Sequence, residues 1–155
     1  MKLLLLIIFF TLSTTVLVAQ PFTLDKKIKP VELRMINYIN KENKNWNGKI
    51  NITAVTQNSD SAYYFVKGLS MYQPVYITVV SENSLENVDI FLCKNNWKAP
   101  NKTGTTDAKG NWKAKFKTEG SFGIQIAKHN PSVKYKIMVW VGKEAEDVGI
   151  KSPFK

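Results

Sequence analysis

The chain has 155 residues, 44% of them hydrophobic, with 22 Lys and Arg against 12 Asp and Glu, one His and one Cys. That length suits one domain with a substantial core. The lone cysteine excludes an internal disulfide framework, and one His with one Cys cannot supply a typical zinc set. The formal net charge of +10 favours anionic partners such as acidic glycans, lipid headgroups or nucleic acid, or serves solubility alone.

Met1-Lys2 opens an apolar run from Leu3 to Phe10, and Thr11 to Val18 leads to Ala19 before polar Gln20. A basic start, a short hydrophobic segment and a small residue at the cut define a secretory signal peptide over residues 1–19. The alternative, an uncleaved anchor, is disfavoured: Thr11, Ser13, Thr14 and Thr15 dilute the run, and it falls short of the ~20 apolar residues that span a bilayer. No cysteine follows it to carry a lipid. The expected location is secreted or periplasmic, with a mature chain that does not span the membrane. Removing Lys2 with the leader lowers the net charge by one, to +9.

Residues 20–48 read as an extended N-terminal segment with a first strand. Pro21 and Pro30 limit helix; Val31, Leu33 and Met35 alternate with Glu32 and Arg34, while Ile36, Tyr38 and Ile39 leave a short helix open. Asn40 to Gly48, rich in Lys and Asn around Trp46, reads as a loop. The β-domain is placed at residues 49–141. Lys49–Val55, Ala62–Val66, Val75–Ser81 and Val88–Cys93 are rich in β-branched and aromatic residues, with breaks at Thr56–Ser61, Lys67–Pro74 and Glu82–Asn87. Cys93, within an apolar run, reads as a small buried hydrophobe. Asn95 to Thr106 is a long loop, and Asp107 to Gly110 a tight turn.

The strongest pattern follows. Trp112, Ala114 and Phe116 alternate with Lys113, Lys115 and Lys117. Thr118-Glu119-Gly120 is expected to reverse the chain. Phe122, Ile124 and Ile126 alternate with Gly123, Gln125 and Ala127, and His129 to Ser132 turns again. Tyr135, Ile137, Val139 and Val141 alternate with Lys134, Lys136, Met138 and Trp140. Period-2 alternation means one buried face and one wet face. About eight short strands with little helix indicate an all-β fold, an antiparallel β-sandwich or jelly roll. Residues 142–155 form a charged tail.

Ala62-Tyr-Tyr-Phe-Val66, Val75-Tyr-Ile-Thr-Val-Val80, Val88-Asp-Ile-Phe-Leu92, Gly120-Ser-Phe-Gly-Ile-Gln-Ile126 and Tyr135-Lys-Ile-Met-Val139 together resemble the bacterial pre-peptidase C-terminal (PPC) domain. That resemblance implies a jelly-roll-like sandwich and a non-catalytic accessory role, usually beside a secreted hydrolase; some members bind calcium through clustered acidic residues, which here are scattered. A local stretch, Gly104 to Trp112 followed by Gly120 to Ile126, is similar to the transthyretin-like regulatory domain of carboxypeptidases, again a sandwich without catalysis.

The catalytic inventory is thin. His129 lies in a turn and reads as solvated. Gly68-Leu-Ser-Met-Tyr72 lacks the second glycine of a nucleophile elbow, so a small hydrolase is only a third reading. Calcium wants six to eight oxygens. Among Asp60, Glu82, Glu86, Asp89 and Asp107, the weak metal candidates are Glu82, Glu86 and Asp89, which flank one turn. No cofactor is implied. The sequons at Asn51 and Asn101 read as chance.

The aromatic inventory is richer. Trp112 is expected in the core, whereas Trp46 and Trp97 lie in polar loops. Trp140 shares a strand phase with lysines; it either stacks on a sugar ring or packs beneath the N-terminal segment or the tail. The expected function is a non-catalytic binding module that contacts an envelope glycan or envelope protein. Its candidate surface is Lys113, Lys115, Lys117, Lys134 and Lys136 with Trp140 and Trp97. The alternative is a structural interaction protein that docks a partner by strand addition. Arg34 is the only arginine, and without the planar fork of arginine no specific nucleic-acid reader is expected.

Overall fold

The structure is a computed structural model describing residues 27–143; the expected signal peptide, the first part of the N-terminal lead-in and nearly all of the tail lie outside the described residues. Eight strands account for most of it: β1 (Val31–Glu32), β2 (Ile36–Tyr38), β3 (Gly48–Gln57), β4 (Ser61–Ser81), β5 (Val88–Cys93), β6 (Lys102–Thr105), β7 (Asn111–Lys128) and β8 (Val133–Gly142). The all-β expectation holds. The only helical element among the described residues is a single 3-10 turn, Lys44–Trp46, inside the segment read as a loop.

Two strands are far longer than the alternation suggested, and they make the sandwich. β4 pairs antiparallel with β7 along nearly its whole length, with register shifts between Lys67 and Leu69 and between Leu69 and Gln73. The second half of β4 also pairs with β8, and β8 with β3, which pairs with β2. The second half of β7 pairs with β5, and β5 with β6. One hydrogen-bonded path therefore folds into two layers. The first holds β2, β3, β8, the end of β4 and the start of β7. The second holds β1, the start of β4, the end of β7, β5 and β6. β1 joins by a short parallel pairing with β4.

One expected chain reversal and one expected break between strands are corrected here. Thr118-Glu119-Gly120 does not turn the chain back: β7 runs through it, and its two alternating halves lie in different layers instead of pairing with each other. Lys67–Pro74 is likewise a bend within β4. The bend is made by Gly68 (φ +72°), Tyr72 (φ +53°) and Gly120 (φ +66°), left-handed positions that serve a bulge as readily as a turn. Between the pairs Lys67–Ser121 and Gln73–Thr118, β4 advances six residues while β7 advances three. The odd surplus in β4 reverses its inward phase, from even-numbered Tyr64 and Val66 to odd-numbered Val75, Ile77 and Val79, all buried. Bends of this kind let strands change sheets at a sandwich corner.

The core lies between the layers. Val75, Ile77, Val79, Ile137 and Val139 from the first face Val66, Ile90, Ile124 and Ile126 from the second, within one continuous buried cluster. Burying each such side chain contributes about 1.5–3 kcal/mol, and this packing holds the domain without cross-links. Within the long loop before β7, residues 102–105 form the edge strand β6. The Asp107 turn is as expected. The backbone N–H groups of Asn111 and Lys109 donate to its carboxylate, each at 2.9 Å, and hold it below the usual carboxylate range.

Candidate functional site

The outer face of the first layer carries the expected lysines. Lys113, Lys115 and Lys117 project from β7, and Lys134 and Lys136 from β8; all five are exposed. The register sets them on either side of β4: Lys115 opposes Tyr76, which opposes Trp140, which opposes Ile50 on β3. The next row is Lys113, Thr78, Met138 and Ile52. None of the residues at these face positions, from Gly48 to Thr56 on β3 and Asn111 to Lys117 on β7, is acidic.

Of the two readings of Trp140, packing beneath the N-terminal segment is the one the structure shows, which corrects its place in the candidate surface. It is only 8% exposed, so its ring is not a free stacking surface. It packs beneath the N-terminal segment: its Nε1–H donates to the backbone carbonyl of Trp46 at 2.9 Å, and the two rings meet edge-on at 5.1 Å. The indole lies over Gly142, where an added Cβ would come within 2.7 Å of it and 2.6 Å of the Pro74 ring. Only a bare glycine admits this arrangement.

The aromatic surface is offered instead by Trp46, which is 42% exposed. Its ring contacts Tyr76 at 5.5 Å and Trp140 at 5.1 Å, and Tyr76 contacts Trp140 at 5.3 Å. Lys115 Nζ stands 5.0 Å from the centre of the Tyr76 ring, a cation–π distance. The loop that presents Trp46 is tied by its own asparagines. Asn40 Oδ1 accepts from the Glu42 and Asn43 amides, Asn43 Oδ1 from the Asn45 amide, and Asn47 Oδ1 from the Asn40 amide. Short amide side chains fold back on the backbone in this way and make turns. Sequence reasoning missed Trp46 and Tyr76 as site residues. The available signal was a tryptophan in an otherwise polar, asparagine-rich stretch.

Trp97 is also corrected. It lies on the outer face of the other layer, 6% exposed, with its ring directly over Gly123 and edge-on to Tyr63 at 5.0 Å. Together with Ile28, Phe65 and Phe91 it covers Cys93. Cys93 is buried as expected, and burial pushes its thiol up to about 11. Trp97 therefore roofs a small apolar cluster and shares no surface with the lysines.

The three weak metal candidates do not converge. Asp89 accepts from Thr105 Oγ1 at 2.6 Å and pairs with His129 Nε2 at 2.9 Å, whereas Glu86 accepts from Asn83. Among the described residues no three His, Cys, Asp or Glu side chains gather to hold a metal ion. His129 is exposed at the sheet surface, as expected, with its Nε2 within hydrogen-bond distance of Asp89 Oδ2. Among the described residues no helix is long and apolar enough to cross a membrane.

No family model matches the chain, and no curated protein matches it in sequence. Several solved structures are similar in fold. The pre-peptidase C-terminal domain of collagenase from Bacillus anthracis, the domain class that residues 62–141 resemble, is 13% identical; the match covers 59% of this chain and 88% of that one, with a TM-score of 0.47. A mitogen from Yersinia pseudotuberculosis is 16% identical over 65% of this chain and 92% of that one (TM-score 0.48). PliG, a periplasmic inhibitor of g-type lysozyme from Aeromonas hydrophila, is 14% identical over 73% and 96% (TM-score 0.44).

Proposed function

We propose that this is a secreted, non-catalytic binding module that grips an acidic envelope polysaccharide on the outer face of its first layer. The observation that carries this reading is the half-open Trp46 ring, braced by Trp140 and Tyr76 on a sheet face whose charged side chains are all lysine. A pyranose presents CH groups to such a ring, and the ammonium groups beside it meet carboxylate or sulfate substituents. Lysine is a point charge on a flexible stem, suited to repeated anions in loose geometry and not to one planar group. Affinity then comes from several weak contacts and falls as salt rises.

The competing reading, an envelope protein docked by strand addition, rests on the start of β7, which has no partner strand on its outer side among the described residues. Its three lysines argue against that use, because charged side chains on an edge strand discourage strand pairing.

The test is tryptophan fluorescence during titration with polygalacturonate and with neutral dextran, at low and high salt. The acidic polymer should change the signal at low salt only, and Trp46→Ala and a Lys113→Gln/Lys115→Gln pair should abolish the change. Unaltered binding by both variants overturns the proposal, and co-purification with an envelope protein that is lost on a proline substitution in β7 establishes the competitor.

A further inference from the structure

A second site lies at the bend, away from the Trp46 platform. Between the start of β7 and strands β5 and β6, the sandwich leaves a cavity of about 460 Å³, a volume typical of small-molecule sites. Its inner wall is core: Leu92 from β5, with Phe116 and Phe122 from either side of the β7 bend. The two phenyl rings meet edge-on at 5.3 Å. The cavity lies where the first layer ends at β7 while the second continues into β5 and β6, and of its apolar wall Phe116 is half-buried whereas Leu92 and Phe122 are buried.

The rim is cationic. Lys94, Lys102 and Lys117 line it, against Glu119 as the one acid. Lys94 Nζ donates to the carbonyls of Glu119 and Ser121, so its charge is held at the mouth by the backbone of the β7 bend. Lys102 and Lys117 are exposed. Tyr72 completes the rim, 68% exposed and in a left-handed conformation that is unfavourable for an aromatic residue. Strain of this kind concentrates at ligand sites.

We infer that this cavity binds a single-chain acyl anion of the fatty-acid type, with its hydrocarbon tail against Leu92, Phe116 and Phe122 and its carboxylate among the rim lysines. The chemistry selects this class. A sugar would bury hydroxyls against hydrocarbon without partners, and a neutral apolar ligand would leave the lysine cluster unanswered. A carboxylate on a chain satisfies both halves, since charge-assisted bonds to lysine are the stronger kind.

The experiment is calorimetric titration of the whole domain with decanoate and, separately, with decyl glucoside, below their micellar concentrations. Decanoate should saturate one site per chain, and decyl glucoside should bind about tenfold more weakly or worse. Lys102→Glu, an exposed change outside the Trp46 face, should weaken decanoate by a similar factor, while Trp46→Ala leaves it unchanged and so separates this site from the glycan face. Amide NMR shifts on adding decanoate should centre on residues 116–122. The inference is overturned by absence of saturable decanoate binding up to millimolar concentration, by equal affinity for the glucoside, by indifference to Lys102→Glu, or by shifts confined to another surface.

Discussion

The hydroxyls of Tyr64 and Tyr135 meet at 3.0 Å in the middle of the core, one from each layer of the sandwich. Tyr135 donates its proton to Gln57 Oε1 at 2.6 Å, so Tyr64 must be the donor between the two tyrosines. Gln57 in turn donates through Nε2 to the carbonyls of Ser59 and Ile126. A directed chain of hydrogen bonds thus ties β4, β8, β3 and β7 together inside an otherwise apolar interior.

Breaking that chain at its centre should be costly. Tyr135→Phe leaves both the Tyr64 hydroxyl and Gln57 Oε1 without their partner, and unsatisfied buried groups cost about 1–3 kcal/mol. Tyr64→Phe removes only the terminal donor and should cost less. The double variant should be more stable than the sum of the two losses implies, because the two share one network. Urea unfolding of the three proteins measures this; strict additivity would show that the hydroxyls act independently.

The same pair makes the fold sensitive to alkali. Burial raises both tyrosine pKa values above the ordinary 10.0. Below pH 10 the folded and unfolded chains both keep these protons and no stability is lost. As pH passes 10 the unfolded chain releases them and the folded chain does not, so stability declines with rising pH. Tyrosinate absorbance should show two groups that ionise only as the protein unfolds, and in the Tyr64→Phe/Tyr135→Phe variant the decline should be shallower.

Gly123→Ala should dislodge the Trp97 roof. The new methyl would sit 2.5 Å from the indole, and overpacking of this kind costs about 1–3 kcal/mol. The wild-type Cys93 thiol, covered and with its pKa raised to about 11, should resist thiol reagents at mildly alkaline pH. In Gly123→Ala it should react without global unfolding. Equal protection in both proteins would refute the proposed cover.

The bend residues should respond in opposite directions. Gly68→Ala meets no neighbouring atom within 4 Å, yet its φ of +72° should cost about 1 kcal/mol through conformation alone. Tyr72→Gly relieves a left-handed aromatic and should stabilise the fold by about 0.5–1 kcal/mol, while removing part of the cavity rim and weakening decanoate. Thermal unfolding reads the first effect and calorimetry the second.

Much of this architecture is legible in the amino-acid order. The buried phases of residues 112–117, 122–127 and 134–141 follow directly from alternation, and the lysine face follows from the opposite phase at Lys113, Lys115, Lys117, Lys134 and Lys136, whereas the same phase at Gly123 and Trp140 is covered by Trp97 and Trp46. Other features are not legible there. An alternating pattern interrupted by Thr118-Glu119-Gly120 is the same whether the chain reverses or crosses a corner. The phase change in β4, from Val66 to Val75, is the one local sign of a bend, and its meaning depends on a pairing register that lies outside the segment.

The amino-acid order alone determined strand character, which side of each strand seeks the core, the cationic exterior and the reliance on packing without cross-links, because these depend on residues one or two apart. Tertiary structure decided which strands share a layer, that Trp140 is roofed by Trp46 while Trp97 roofs Cys93, and where the core stays open beside Leu92 and Phe116. Those outcomes turn on contacts between residues tens of positions apart, where what covers a side chain is set by the path of the whole sheet and not by its neighbours in sequence.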